Sequence, residues 1–142
     1  MLRLLPLWLV SLALLLGSCK KDSPDPEPTL EGDWNDARVT WSVYNPARVL
    51  TKQNTQDYQH DPYVYYTRFT STSSQRFLGN GTVYDVPQAF TRRGDTLALA
   101  SGVTYYITQL TAEEVTLEYR AVGYLSPATQ DSLVTTFHYL RR

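Results

Sequence analysis

The stretch RFLGNGTVY, residues 76–84, places apolar and aromatic residues on both sides of a Gly-Asn-Gly sequence at 79–81. An Asn-Gly pair between two such runs is a strong hairpin signal, because both residues tolerate the positive φ of a tight type I′ turn. A second hairpin is predicted where Gly-Asp, at 94–95, separates residues 89–93 from residues 96–100. The two hairpins indicate antiparallel β-structure.

Alternation of apolar and polar residues extends this reading over the rest of the domain. It predicts five further strands, at residues 34–44, 63–70, 103–110, 115–119 and 133–140. The polar residues 49–56 predict either a weak edge strand or a loop, and no eleven-residue window has a helical apolar repeat. The sequence therefore predicts an all-β domain, an antiparallel meander of seven or eight strands closing into a barrel, which removes exposed sheet edges.

Large aromatic side chains are predicted to point into this barrel. An eight-stranded barrel has an interior just wide enough for side chains or for one small ligand. Such rings either line a pocket for an apolar or carbohydrate ligand or fill the interior, and their bulk favours a filled core. The candidate interior residues are Trp34, Trp41, Tyr65, Phe77, Tyr105 and Phe137.

The N-terminal residues 1–18 have the form of a secretory signal. Arg3 precedes an apolar run, residues 4–16, that is shorter than the ~20 residues of a membrane-spanning helix. The run ends in Leu16-Gly17-Ser18-Cys19, which resembles the lipobox of bacterial lipoproteins. That resemblance implies a diacylglyceryl group on the Cys19 thiol and cleavage before Cys19.

Residues 19–29 are predicted to be a lipidated tether, followed by the β-domain at residues 30–142. Three prolines alternate with acidic residues in the tether, so it is expected to be extended. The tether resembles those of outer-membrane lipoproteins of Bacteroidetes. Lys20 follows the cysteine where an inner-membrane retention signal would have Asp. The expected location is the outer membrane, attached through the lipid at Cys19, with the periplasmic and surface faces both open.

The order of short motifs in residues 30–139 resembles the lipocalin-like domain of Bacteroidetes lipoproteins. In that resemblance, the Trp of the first motif closes one end of the barrel. The motifs are Leu30-x-Gly32-x-Trp34, Phe77-x-x-x-Gly81-Thr82, Gly94-Asp95-Thr96-Leu97-Ala98-Leu99, Tyr106-x-x-x-Leu110-Thr111 and Val115-x-Leu117.

Charge and catalytic spacing argue against several classes of function. Removal of residues 1–18 takes Arg3 with it and leaves 12 basic and 14 acidic residues, a net charge of −2, which disfavours nucleic-acid binding. His60 with Asp57 and Asp61 makes a partial metal-ligand set, but a solvated loop explains it, and His138 alternates outward. Arg-Gly-Asp at 93–95 spells an integrin-binding tripeptide, but the Gly-Asp pair of a hairpin turn explains it.

No nucleophile–base pair or carboxylate pair has a recognisable spacing, so neither an enzyme nor a cofactor is predicted. The sequence predicts a non-enzymatic, lipid-anchored envelope protein that binds a small apolar ligand or an envelope partner. The alternative is a structural or assembly accessory of the outer membrane that acts only through protein contacts.

Overall fold

A computed structural model describes residues 27–59, 64–123 and 130–142. These residues form nine antiparallel strands and no helix, which confirms the all-β prediction. The strands are β1 (Gly32–Tyr44), β2 (Leu50–Asp57), β3 (Tyr65–Phe69), β4 (Ser73–Leu78), β5 (Gln88–Arg93), β6 (Thr96–Leu99), β7 (Thr104–Leu110), β8 (Glu114–Val122) and β9 (Ser132–Arg141).

Eight of these strands close into a barrel because β1 is long enough to pair three times. One edge of β1 pairs with β9 from Trp34 to Tyr44. The other edge pairs first with β3 and then, from Arg38 onward, with β2. Strands β1 and β3–β9 make the barrel, and β2 continues the sheet beside it. The polar segment that the sequence left open is thus a strand, and all eight of its residues are exposed.

A β-bulge in β1 reverses the side-chain alternation. The pairing of β1 with β9 shifts register between Asp36 and Arg38, so Ala37 is an extra residue. Asp36 before the bulge and Val39 after it both line the barrel interior despite their opposite parity. Because of this extra residue, inward-facing side chains continue along β1 on both sides of the bulge.

Trp34 and its neighbours close the end of the barrel at which β1 begins. The Trp34 side chain is fully buried, and its Nε1 donates a 2.8 Å hydrogen bond to the Leu30 carbonyl. The Arg141 guanidinium lies 4.6 Å from the centre of the Trp34 ring, and its Nη1 donates to the Glu31 carbonyl at 3.1 Å. The buried core above this closure consists of Leu30, Trp34, Phe69, Phe90, Leu97, Ile107, Val115 and Leu117.

The hairpin predicted at residues 76–84 is present but short, and its turn is of a different type. Gly81 N donates to the Leu78 carbonyl and has a φ of 88°, whereas Asn80 does not have a positive φ. This is a three-residue turn closed by a glycine bulge instead of a type I′ turn.

The returning segment pairs only briefly. Val83 makes an antiparallel bridge to Phe77, Tyr84 N donates to the Arg76 carbonyl at 3.0 Å, and β5 begins only at Gln88. The reason is a side chain: Asp85 Oδ1 accepts the Arg76 backbone N–H at 2.9 Å, in the place of a strand carbonyl. The chain then passes through Pro87, which has no N–H to donate.

Replacing Gly32 with Ala should destabilise the barrel by about 1–3 kcal/mol in urea unfolding. Gly32 has a φ of +130°, and an added Cβ would lie 3.0 Å from the Arg141 guanidinium. Gly81→Ala is the matched control, because Gly81 also has a positive φ but has nothing within 4 Å of an added Cβ. We expect the larger loss for Gly32→Ala, and Arg141→Ala should abolish that excess. Equal losses in the two variants would contradict the contact.

Candidate functional site

The barrel encloses a cavity of about 300 Å³ that is partly open to solvent. This is the lower end of the usual size of ligand pockets. Its apolar floor is formed by the inward side chains Phe69, Phe90, Leu97, Leu99, Leu117, Tyr105 and Phe137. The other part of the wall is polar, with Asp36, Thr67, Ser74, Gln75, Arg76, Asp85 and Gln88.

The bulky aromatic rings do not fill the interior, contrary to the expectation of a filled core. They pack against one another in a chain of contacts. Tyr105 meets Phe137 edge-on at 5.8 Å, and Phe137 stacks on Tyr139 at 6.5 Å with an interplanar angle of 13°. Tyr139 in turn meets Phe69, which contacts Phe90. A cavity remains beside these rings.

The structure places three of the six candidate interior residues on the cavity wall, namely Trp41, Tyr105 and Phe137. Trp34 points inward but lies in the core below the cavity. Tyr65 points inward too, and its ring packs 4.5 Å from the Arg76 guanidinium.

Phe77, the sixth candidate, is on the outer face of β4. It pairs directly with Tyr66 on β3 and stacks on that ring at 5.0 Å and 11°. Arg76, its neighbour, therefore points inward. In β4, therefore, the apolar Phe77 faces outward and the charged Arg76 faces inward, which is the reverse of the predicted alternation.

Arg76 and Asp36 form a buried ion pair on the cavity wall. Arg76 Nη2 lies 2.5 Å from Asp36 Oδ2, and Thr67 Oγ1 donates to Asp36 Oδ1 at 2.9 Å. Burial raises the pKa of the Asp36 carboxyl, and the Arg76 guanidinium offsets part of that effect. Both oxygens of the carboxylate are thus occupied by protein donors.

Three tyrosine rings surround the guanidinium of Arg76. Its central carbon lies 5.6 Å from the ring centre of Tyr58, 4.5 Å from that of Tyr65 and 5.6 Å from that of Tyr84. Arg76 Nε is buried and has no hydrogen-bond partner. Cation–π contacts of this kind stabilise a partly desolvated cation, which offsets that missing bond.

Tyr139 adds a hydroxyl to this network. Its side chain is partly buried, and burial raises the pKa of the Tyr139 phenol well above its usual range. Its hydroxyl shares a hydrogen bond with Thr67, which in turn donates to Asp36. Asp36, Arg76, Thr67 and Tyr139 thus form one connected network on the cavity wall.

His138 lies at the edge of the cavity beside Arg38, where its Nδ1 is 3.2 Å from Thr116 Oγ1 and its Nε2 is 3.8 Å from Glu114. His60, Asp61 and the lipobox with Cys19 lie outside the described residues.

Within the described ranges, no three or more His, Cys, Asp or Glu residues cluster as metal ligands. The described part of the chain also contains no helix that is long and apolar enough to cross a membrane.

The chain was compared with protein-family models, curated proteins and solved structures, and none of them matches it. The candidate site therefore follows from the geometry of this chain alone.

Asp36→Asn should destabilise the protein by about 2–4 kcal/mol at neutral pH. The amide keeps the shape of the side chain but leaves the Arg76 cation without its counter-charge. Asp33→Asn is the matched control, because Asp33 pairs with Arg68 on the exposed outer face, where an ion pair contributes about 0–1 kcal/mol. Urea unfolding of both variants measures the difference. A loss for Asp36→Asn no larger than that for Asp33→Asn would show that the buried pair adds no stability.

Proposed function

We propose that this chain is a lipid-anchored protein of the cell envelope whose non-enzymatic barrel binds a small apolar ligand. The observation that carries the proposal is the partly open cavity of about 300 Å³ with an apolar floor. Apolar surface that leaves water contributes about 25 cal/mol per Å². A ligand that packs against the aromatic rings and leucines of the floor gains this free energy of burial and needs no contact with a catalytic group.

The position of the cavity favours ligand entry over a purely structural void. It is partly open to solvent, whereas the end of the barrel at which β1 begins is closed by Trp34 and Arg141. Engineered apolar voids of smaller size stay dry and take up small apolar molecules. The cavity of this barrel has an apolar floor in common with such voids, and it also has a polar wall and an opening.

The envelope location is supported by the sequence of residues 1–29. An apolar run that is too short to span a bilayer ends in the lipobox at 16–19, and a proline-rich tether follows. One acyl chain holds a protein weakly, and two or three hold it durably. In this proposal Cys19 carries those chains in the outer membrane, as the resemblance to Bacteroidetes lipoproteins implies.

The tether reaches the barrel at its closed end. Leu30, the first residue of the domain, is buried beneath Trp34, so the domain is fixed to its tether beside the Trp34–Arg141 contact. In the proposed arrangement, the closed end is the part of the barrel nearest to the lipid.

Ligand binding is tested with the small fluorescent probe 1-aminonaphthalene, which is uncharged at neutral pH and close in size to the cavity. We expect its fluorescence to rise with the wild-type protein and to stay near baseline with Leu99→Trp, because Leu99 lines the cavity and a larger ring takes up its volume. Ala98→Trp is the matched control, since Ala98 is the exposed neighbour on the same strand. Equal signals for the two variants would place the probe outside the cavity. No signal with wild type would favour the accessory function.

The anchor is tested by metabolic labelling with palmitate in a bacterium that processes lipoproteins. We expect incorporation into the wild-type chain and into Lys20→Ala, and none into Cys19→Ala, because the chain has one cysteine. Label that persists in Cys19→Ala would rule out attachment at this thiol.

A further inference from the structure

The buried charges on the cavity wall are already paired inside the protein, since Asp36 is bound by Arg76 and Thr67. Three other charged or titratable side chains of the lining, Arg38, Asp85 and His138, are not buried. Asp85 Oδ1 accepts a backbone N–H of β4, and Arg38 is exposed with Asp57 opposite to it on β2. These three side chains stay in contact with solvent, so the buried part of the wall has no unpaired charge.

An ionic ligand would lose its hydration in this cavity without a replacement. A buried carboxylate needs a cation, and the guanidinium of Arg76 is held by Asp36 at 2.5 Å. A buried ammonium needs an anion, and both oxygens of Asp36 are engaged. Transfer of an unpaired charge from water to such a site is costly, whereas an uncharged molecule does not incur this penalty.

Among the described residues, one buried side-chain donor has no hydrogen-bond partner, and it does not change this balance. Arg76 Nε is buried, and three tyrosine rings surround the guanidinium. An atom without accessible surface cannot donate to a molecule in the cavity, so Nε is not an anion site.

Neutral polar groups are available beside the charged pair. Gln88 pairs with Ser74 across β4 and β5, and both line the cavity with Gln75. Gln88 is exposed, so its amide remains in contact with solvent at the cavity edge. Amides and hydroxyls both donate and accept, which suits an alcohol or a carbonyl.

We infer that the cavity selects an uncharged ligand, a short apolar chain or ring with at most a hydroxyl or carbonyl group at its polar end. This inference rests on the proposed ligand binding and names its chemical class. A volume of about 300 Å³ corresponds to about ten non-hydrogen atoms when each occupies the ~30 Å³ of a water molecule.

The test is calorimetric titration of the full-length protein with three ligands of equal chain length, namely decan-1-ol, decanoate and decylammonium, at pH 7.5. We expect decan-1-ol to bind about tenfold or more tightly than either ion. Equal or tighter binding of one of the ions would overturn the uncharged class and leave the proposed binding function intact. If none of the three binds although 1-aminonaphthalene does, this inference alone fails.

A variant shows whether the ion pair sets the selectivity. Asp36→Asn releases Arg76, so decanoate should gain about tenfold relative to decan-1-ol. Asp33→Asn removes an acidic group from the outer face and should leave the ratio unchanged. An unchanged ratio in folded Asp36→Asn would contradict the role of the pair. The wild-type comparison of the three ligands decides the inference if that variant does not fold.

Discussion

The ion pair between Asp36 and Arg76 fixes the orientation of two strands that lie far apart in sequence. For the two side chains to meet at 2.5 Å inside the barrel, β4 must turn Arg76 inward and β1 must turn Asp36 inward. The first requirement places Phe77 outside. The second is compatible with the inward Val39 only because the bulge at Ala37 adds one residue. One charged contact thus sets the face of β4 and the irregularity of β1.

The outer face compensates for the apolar residue that this arrangement exposes. Phe77 stacks on Tyr66, and the Arg68 guanidinium lies 5.2 Å from the centre of the Phe77 ring. Arg68 is held there by Asp33, and Arg142 covers the Tyr66 ring at 4.0 Å. Phe77 is therefore buried, although it is outside the barrel. Long basic side chains perform this covering well because their stems are apolar and their heads remain in water.

The sequence predicted the strands of the barrel because local alternation is enough to identify a strand. β6 to β9 each have one apolar face that packs on the core, and all were found within a few residues of their ends. The same reasoning failed for β4, since the inward residue there is a charge. Its counter-charge lies forty positions away, at Asp36, and no local pattern reveals such a partner. The bulge was missed for a related reason, because a bulge is defined by the opposing strand.

The cavity could not be predicted from the sequence, because it depends on how the inward side chains pack against one another in three dimensions. The inward rings were partly identified, but ring bulk alone predicts a filled interior. The rings instead pack against one another, as Phe137 does with Tyr105 and Tyr139, and they leave a cavity beside them. A polar wall reinforces this arrangement. Well-packed apolar residues in place of a buried ion pair are often equally or more stabilising. The Asp36–Arg76 contact holds both side chains on the cavity wall, where both oxygens of the carboxylate have donors. The space beside this pair is the space that the proposed ligand would occupy.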